Sequence, residues 1–172
     1  MKPLTDQTKY GWFVLVLLLI FFCSSCAWIK DSGQLSFLER DLEGKILRNP
    51  SDYNSNYMLG IAHAIRGEKV STASTNLGKF FFKRAIPYLE QAIRIKPDLA
   101  EAHLALGEIF GNDKINDGIG AIRHTIIAKK LFERQNKTEG LAIANTNLQV
   151  FSKKFFSFHL LGITKVQIPE PS

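Results

Sequence analysis

Cysteine is nearly absent from this chain. Its only two thiols, Cys23 and Cys26, stand close to the N-terminus of 172 residues, which excludes a disulfide framework or a cysteine-built metal site in the remainder. Histidine is scarce too, with four in all. His63 and His103 fall on helix-packing positions, where a core histidine is the expected reading. His124 and His159 have no acidic or cysteine companion at metal-binding spacing. Asp113–Gly118 carries some residues of a calcium loop, but Ile115 stands where an oxygen ligand is required and no Glu closes the loop. That segment reads as a turn. A nucleophile elbow, a phosphate-binding glycine loop and a paired-carboxylate motif are all missing. The sequence argues against an enzyme, and no metal or cofactor is expected.

One uninterrupted apolar run is present, Gly11–Phe22. Lys2 and Lys9 precede it, and Cys23, Ser24, Ser25 and Cys26 follow. A basic flank, a short apolar stretch and small residues before a cleavage point form a secretory signal. This end resembles a bacterial lipoprotein signal, whose lipobox closes on two small residues and an acylated cysteine. Ser24, Ser25 and Cys26 fit, while Cys23 departs from the usual Leu. The resemblance implies cleavage after residue 25, a diacylglycerol and a further acyl chain on Cys26, and stable anchoring by more than one chain. Ala27, where Asp would signal inner-membrane retention in enterobacteria, favours the outer membrane. The competing reading is an uncleaved anchor from Gly11 to Ile29, of about 20 residues, with Trp12 and Trp28 at the interfaces. Either way the rest of the chain faces the periplasm of a bacterial envelope.

At 19.4 kDa, with 45% hydrophobic and 22% charged residues, the chain is one domain's worth of ordinary globular material. The net charge is +6. Its cations are scattered among acids such as Glu39, Asp41 and Glu43, with one local cluster at Lys153 and Lys154. Nucleic acid is not an expected partner.

After a tether over 26–33, Leu35, Leu38, Leu42, Ile46 and Leu47 recur at helical spacing, predicting a helix from Gln34 to Arg48 that Asn49 and Pro50 stop. Leu59, Gly60 and His63 then stand ahead of Ala85, Leu89, Ala92 and Pro97. Leu106, Gly107 and Phe110 reopen the pattern, and Ala121 and Ala128 repeat the seven-residue alanine step. Gly60 is expected to let two helices approach closely, with Asp98 capping the next helix. These positions resemble the tetratricopeptide repeat, a two-helix unit of about 34 residues. The resemblance covers 34–158, with repeats at 53–99 and 100–135, partial units on either side and a tail over 159–172. Asn56 and His103 depart from its aromatic positions.

The first unit is about 13 residues longer than that repeat. The surplus falls at Glu68–Phe80, where Ser71, Thr72, Ser74, Thr75, Asn76 and Gly78 predict an inserted loop. A longer turn is expected at Asn112–Gly120. A last helix is predicted from Thr138 to about Phe158, and Phe151, Phe155, Phe156 and Phe158 are expected to pack on the last repeat.

The expected fold is all-α, a short solenoid of antiparallel helix pairs with capping helices. By the resemblance, the concave groove is lined by Asn54, Tyr57, Ile61, Ala64 and Ile65, then Glu101, Leu104, Glu108, Gly111 and Asn112. The carboxylate clamp of one subfamily is missing, since Tyr57, Ile61, Leu104 and Glu108 supply neither cation nor amide. An apolar wall beside two carboxylates suits an amphipathic helix or extended peptide, unless the chain's own C-terminal helix fills it. The expected function is an envelope scaffold that binds another protein. The alternative is a small-ligand accessory of an envelope transporter.

Overall fold

A computed structural model describes residues 33–156. The signal segment, Cys26 and residues 157–172 lie outside the described residues. The chain divides into two compact units, 1–41 and 42–172. The first helix, α1 at 33–48, crosses that boundary, and every later helix belongs to the second unit.

There are five of these: α2 Tyr53–Ser71, α3 Thr75–Ile95, α4 Ala100–Gly111, α5 Gly118–Arg134 and α6 Thr138–Phe156. No strand occurs among the described residues. Each helix packs on the next, α2 with α3, α3 with α4, α4 with α5 and α5 with α6. In addition α2 meets α4, and α4 meets α6. Two layers result, with α2, α4 and α6 side by side and α3 and α5 behind them.

Small residues allow this approach. Ala85, Ala92, Ala121 and Ala128 are fully buried, each pair on one face of its helix. A Cβ on Gly60 would lie 2.7 Å from the Cγ of Leu89, so α3 seats against bare backbone. Phe82, Ala85, Leu89 and Ala92 of α3 join Leu99 and Ala102, Ala105, Leu106 and Ile109 of α4 in one core cluster. Ala100, Ala128, Leu131, Phe132 and Ala144 form a second across α4, α5 and α6.

Short polar side chains fix the helix ends. The Asp52 carboxylate accepts from the Asn54 N–H at 3.1 Å and opens α2. Asp117 accepts from the Gly120 N–H at 2.9 Å and opens α5. Asn56 is buried and donates to the carbonyls of Pro50 and Asp52 at 3.2 and 2.8 Å. Its amide ties the entry turn to the first turn of α2. At the end of α5, Asn136 takes φ 55°. The Lys137 N–H then reaches the Phe132 carbonyl at 3.0 Å, and the Asn136 N–H that of Glu133 at 3.2 Å, a Schellman closure.

Two expectations are corrected. Glu68–Phe80 is not an inserted loop: α2 runs through Ser71 and α3 begins at Thr75, leaving three connecting residues, Thr72–Ser74. The surplus lengthens both helices. The hydroxyls taken for loop chemistry serve as helix-end groups instead. Thr72 Oγ1 donates to the Lys69 carbonyl at 3.1 Å, and Ser74 Oγ accepts from the Leu77 N–H at 3.4 Å. Nor does Asp98 cap the next helix. The residue at that cap is Leu99, with no side-chain hydrogen bond, while the Asp98 carbonyl accepts from Gln135 Nε2 at 2.6 Å.

Candidate functional site

The predicted groove residues come from α2 and α4, which the two-layer packing sets side by side. On α2, Asn54 is exposed and Ile65 is 45% exposed. Tyr57, Ile61 and Ala64 are half-buried against the first core cluster. Burial pushes the Tyr57 phenol pKa up, and the carboxylates of Glu101 and Glu108 add to the rise. Asn112, at the end of α4, donates to Glu68 Oε2 of α2 at 3.3 Å and fixes how far α2 extends past α4.

The α4 half is engaged by α6 and by the turn that leads into it. Lys137 Nζ donates to Glu101 and forms an ion pair with it. Leu104 packs beside Leu141 against the second core cluster. Glu108 Oε1 accepts from Asn147 Nδ2 at 3.0 Å. Lys154 Nζ donates to the Gly111 carbonyl at 2.6 Å and pairs with Asp113, while the Phe151 ring lies over Gly111. Burial raises the Glu101 pKa, but the Lys137 hydrogen bond, a backbone N–H and the charges of Lys137 and Lys96 outweigh it and hold the carboxyl below its usual range. The chain's own last helix therefore lies against the α4 side of the predicted groove, with Glu108 still exposed.

What stays open is a cleft of about 470 Å³ where α6 begins, lined among others by Glu101, Leu104, Phe132, Asn136, Lys137 and Ile143. Two of the predicted residues, Glu101 and Leu104, line it. Sequence reasoning missed the contribution of the α5–α6 turn. The signal available was Gly140: a Cβ there would lie 2.5 Å from the Phe132 ring, so the start of α6 is held close to α5.

His159 lies outside the described residues, and the other three histidines divide into two environments. His63 is 1% exposed and stacks with Tyr88 and Phe81 at centroid distances of 5.6 and 6.2 Å. Burial, then the charge of Arg84, lowers its pKa to about 4. His103 and His124 face each other across α4 and α5 with their Nδ1 atoms 3.1 Å apart. Burial lowers both, His124 to about 4 with help from His103 and Arg123, and the Pro97 carbonyl opposes the shift at His103. At that distance one Nδ1 carries the proton and the other accepts it, so the two rings hold complementary tautomers. The spacing of 21 residues joins two helices of one pair, and sequence reasoning did not connect them. Among the described residues no group of three or more His, Cys, Asp or Glu is placed to hold a metal. Nor, among them, is any helix long and apolar enough to cross a membrane.

No protein-family model matches this chain, and no curated protein is detectably similar to it.

Proposed function

We propose that this chain is a scaffold of the tetratricopeptide-repeat type, anchored to a bacterial envelope membrane through a lipid on Cys26. It holds another envelope protein beside that membrane and supports assembly of an envelope complex such as pilus, secretion or outer-membrane machinery. The supporting observation is the side-by-side layer of α2, α4 and α6, in which α2 keeps Asn54 and Ile65 exposed beside half-buried Tyr57 and Ile61. With the α4 half engaged by α6, the partner surface is the α2 half and the end of its long hairpin with α3.

In-cell photocrosslinking tests this. A photoreactive residue at Ile65 is expected to give one discrete protein adduct, and the same residue at Glu90, exposed on α3, none. Equal adducts from both positions, or none from Ile65, would remove the reading. Intact mass tests the anchor separately. A chain beginning at an acylated Cys26 is expected, whereas an intact Met1 end would leave an uncleaved membrane helix.

The cleft favours a second reading, a small-ligand accessory of an envelope transporter. Its lining sets polar Glu101, Asn136, Lys137, Thr138 and Glu139 beside apolar Leu104, Phe132 and Ile143, and convergent polar groups of this kind are what orient a small ligand. A solute that raises Tm in the native chain but not in Leu104→Trp, which fills the cleft, would carry that reading over the scaffold.

A further inference from the structure

The outer layer carries a pattern that neither reading uses. On α3, Lys79, Phe80, Lys83, Pro87 and Arg94 are exposed and face away from the buried stripe of Phe82, Ala85, Leu89 and Ala92. On α5, Ile119, Arg123, Ile126, Lys130 and Arg134 are exposed and face away from Ala121, Thr125, Ala128 and Leu131. Both helices stand behind the α2, α4 and α6 layer, so both stripes point to the same side of the molecule. Lys79, Lys83, Arg94, Arg123, Lys130 and Arg134 enter no ion pair among the described residues, whereas Arg84 pairs with Glu43 and Lys129 with Glu133. The acids within these two helices are Glu90 and the already paired Glu133, with Asp98 and Asp117 at their ends.

Bare apolar side chains are interleaved with these cations. Ile119 is 74% exposed, Phe80 51% and Ile126 39%. We propose that this face docks on an anionic phospholipid bilayer, with the cations at the headgroups and Phe80, Ile119 and Ile126 among the upper acyl carbons. Charge complementarity selects an anionic surface, and the interleaved Ile and Phe select lipid over a dissolved polyanion, which would leave those side chains in water. Each Lys or Arg near an anionic leaflet raises partition about fivefold, so a few engaged cations suffice to orient the molecule. The α2 and α6 layer then faces away from the lipid. This inference depends on neither the N-terminal anchor nor a partner groove.

Lysine footprinting of the full chain tests it residue by residue, whether or not residues 1–30 hold the chain on the vesicle. The chain is mixed with vesicles of phosphatidylcholine alone or with phosphatidylglycerol added, acylated with a water-soluble reagent and read by mass spectrometry. Modification of Lys79, Lys83 and Lys130 is expected to fall at least threefold on the anionic vesicles, with Lys153 of α6 unchanged. The protection should be lost near 1 M salt, where the screening length shrinks to about 3 Å. Replacing Ile119 and Ile126 together by Ser leaves charge and core untouched and should also abolish it. Equal modification on both vesicle types would overturn the proposal, as would matching protection of Lys153. Protection that survives the double Ser replacement, or that dissolved polyglutamate or an oligonucleotide reproduces, would assign the face to a soluble polyanion and overturn it as well.

Discussion

Gly60 and His63 stand one turn apart on α2 and show two ways in which a single side chain governs this packing. At Gly60 the decisive quantity is space. A methyl there would lie 2.7 Å from Leu89 Cγ and 3.3 Å from the Ala85 carbonyl, with Leu89 itself fully buried. Gly60→Ala is therefore expected to lower stability by about 1–3 kcal/mol, the usual cost of overpacking, as measured by urea denaturation. At His63 the decisive quantity is charge. Its folded pKa of about 4 lies below the ordinary 6.5, so between those values the unfolded chain binds more protons than the folded one. Stability then rises with pH across that window and is lost as pH falls from 6.5 toward 4. His124, also near 4, acts in the same direction. His63→Phe keeps a ring beside Phe81 and Tyr88 but removes one of these protonation sites. Its unfolding free energy should fall less than the native chain's between pH 7.5 and pH 4, by up to roughly 3 kcal/mol for a shift of this size. An unchanged pH profile would mean that His63 is already solvated in the folded chain.

At the scale of elements, the sequence was most legible where small residues recur. The seven-residue alanine steps and Gly60 report helix contact directly, since only small side chains permit that approach, and α1, α4, α5 and α6 lie close to where the sequence predicts them, while α2 and α3 run on through the predicted insertion. Hydroxyl-rich segments were not legible in the same way. Ser71, Thr72 and Ser74 serve a loop or a helix end equally well, and only the packing of α2 on α3 decides between them. The docking of α6 was legible only as an apolar cluster around Phe151. Its polar contacts, Lys137 to Glu101, Asn147 to Glu108 and Lys154 to Gly111, join residues 36 to 43 positions apart, and no local pattern records them. For that reason the contacts of α6 with the α4 residues of the predicted groove could not be read in advance. Phe151 is buried against Gly111 and, with Ala144, is one of the two buried residues of α6. Phe151→Ala should cost about 3–5 kcal/mol locally. Hydrogen exchange is expected to show it as lost protection across 138–156, while α2 and α3 keep theirs. Loss spread evenly over all helices would mean that α6 is not a separable element.

For the whole molecule, the distribution of core residues decides what unfolds with what. In arrays of stacked helices each unit contacts only its neighbours, so stability is close to a sum of unit and interface contributions. Here α4 belongs to both core clusters, through Ala102, Ala105, Leu106 and Ile109 in the first and Ala100 in the second. It also touches α2, α3, α5 and α6. A defect in α6 should therefore open a part, and a defect in α4 should open everything. Leu106 is fully buried at the centre of that helix. Leu106→Ala removes its side chain where small neighbours such as Ala102 and Ala105 offer little volume to refill the gap, for an expected loss of about 2–5 kcal/mol. Unlike Phe151→Ala, it should raise exchange in α2, α3, α5 and α6 together and lower a single cooperative thermal transition. If only α4 and one neighbour lost protection, the two clusters would be energetically independent, and the stack would be two modules joined at α4. The same measurement bears on docking. A cooperative stack holds the outer faces of α3 and α5 in fixed register, which simultaneous contact with one flat surface requires. Two independent modules would have to be ordered against each other at an entropic cost first.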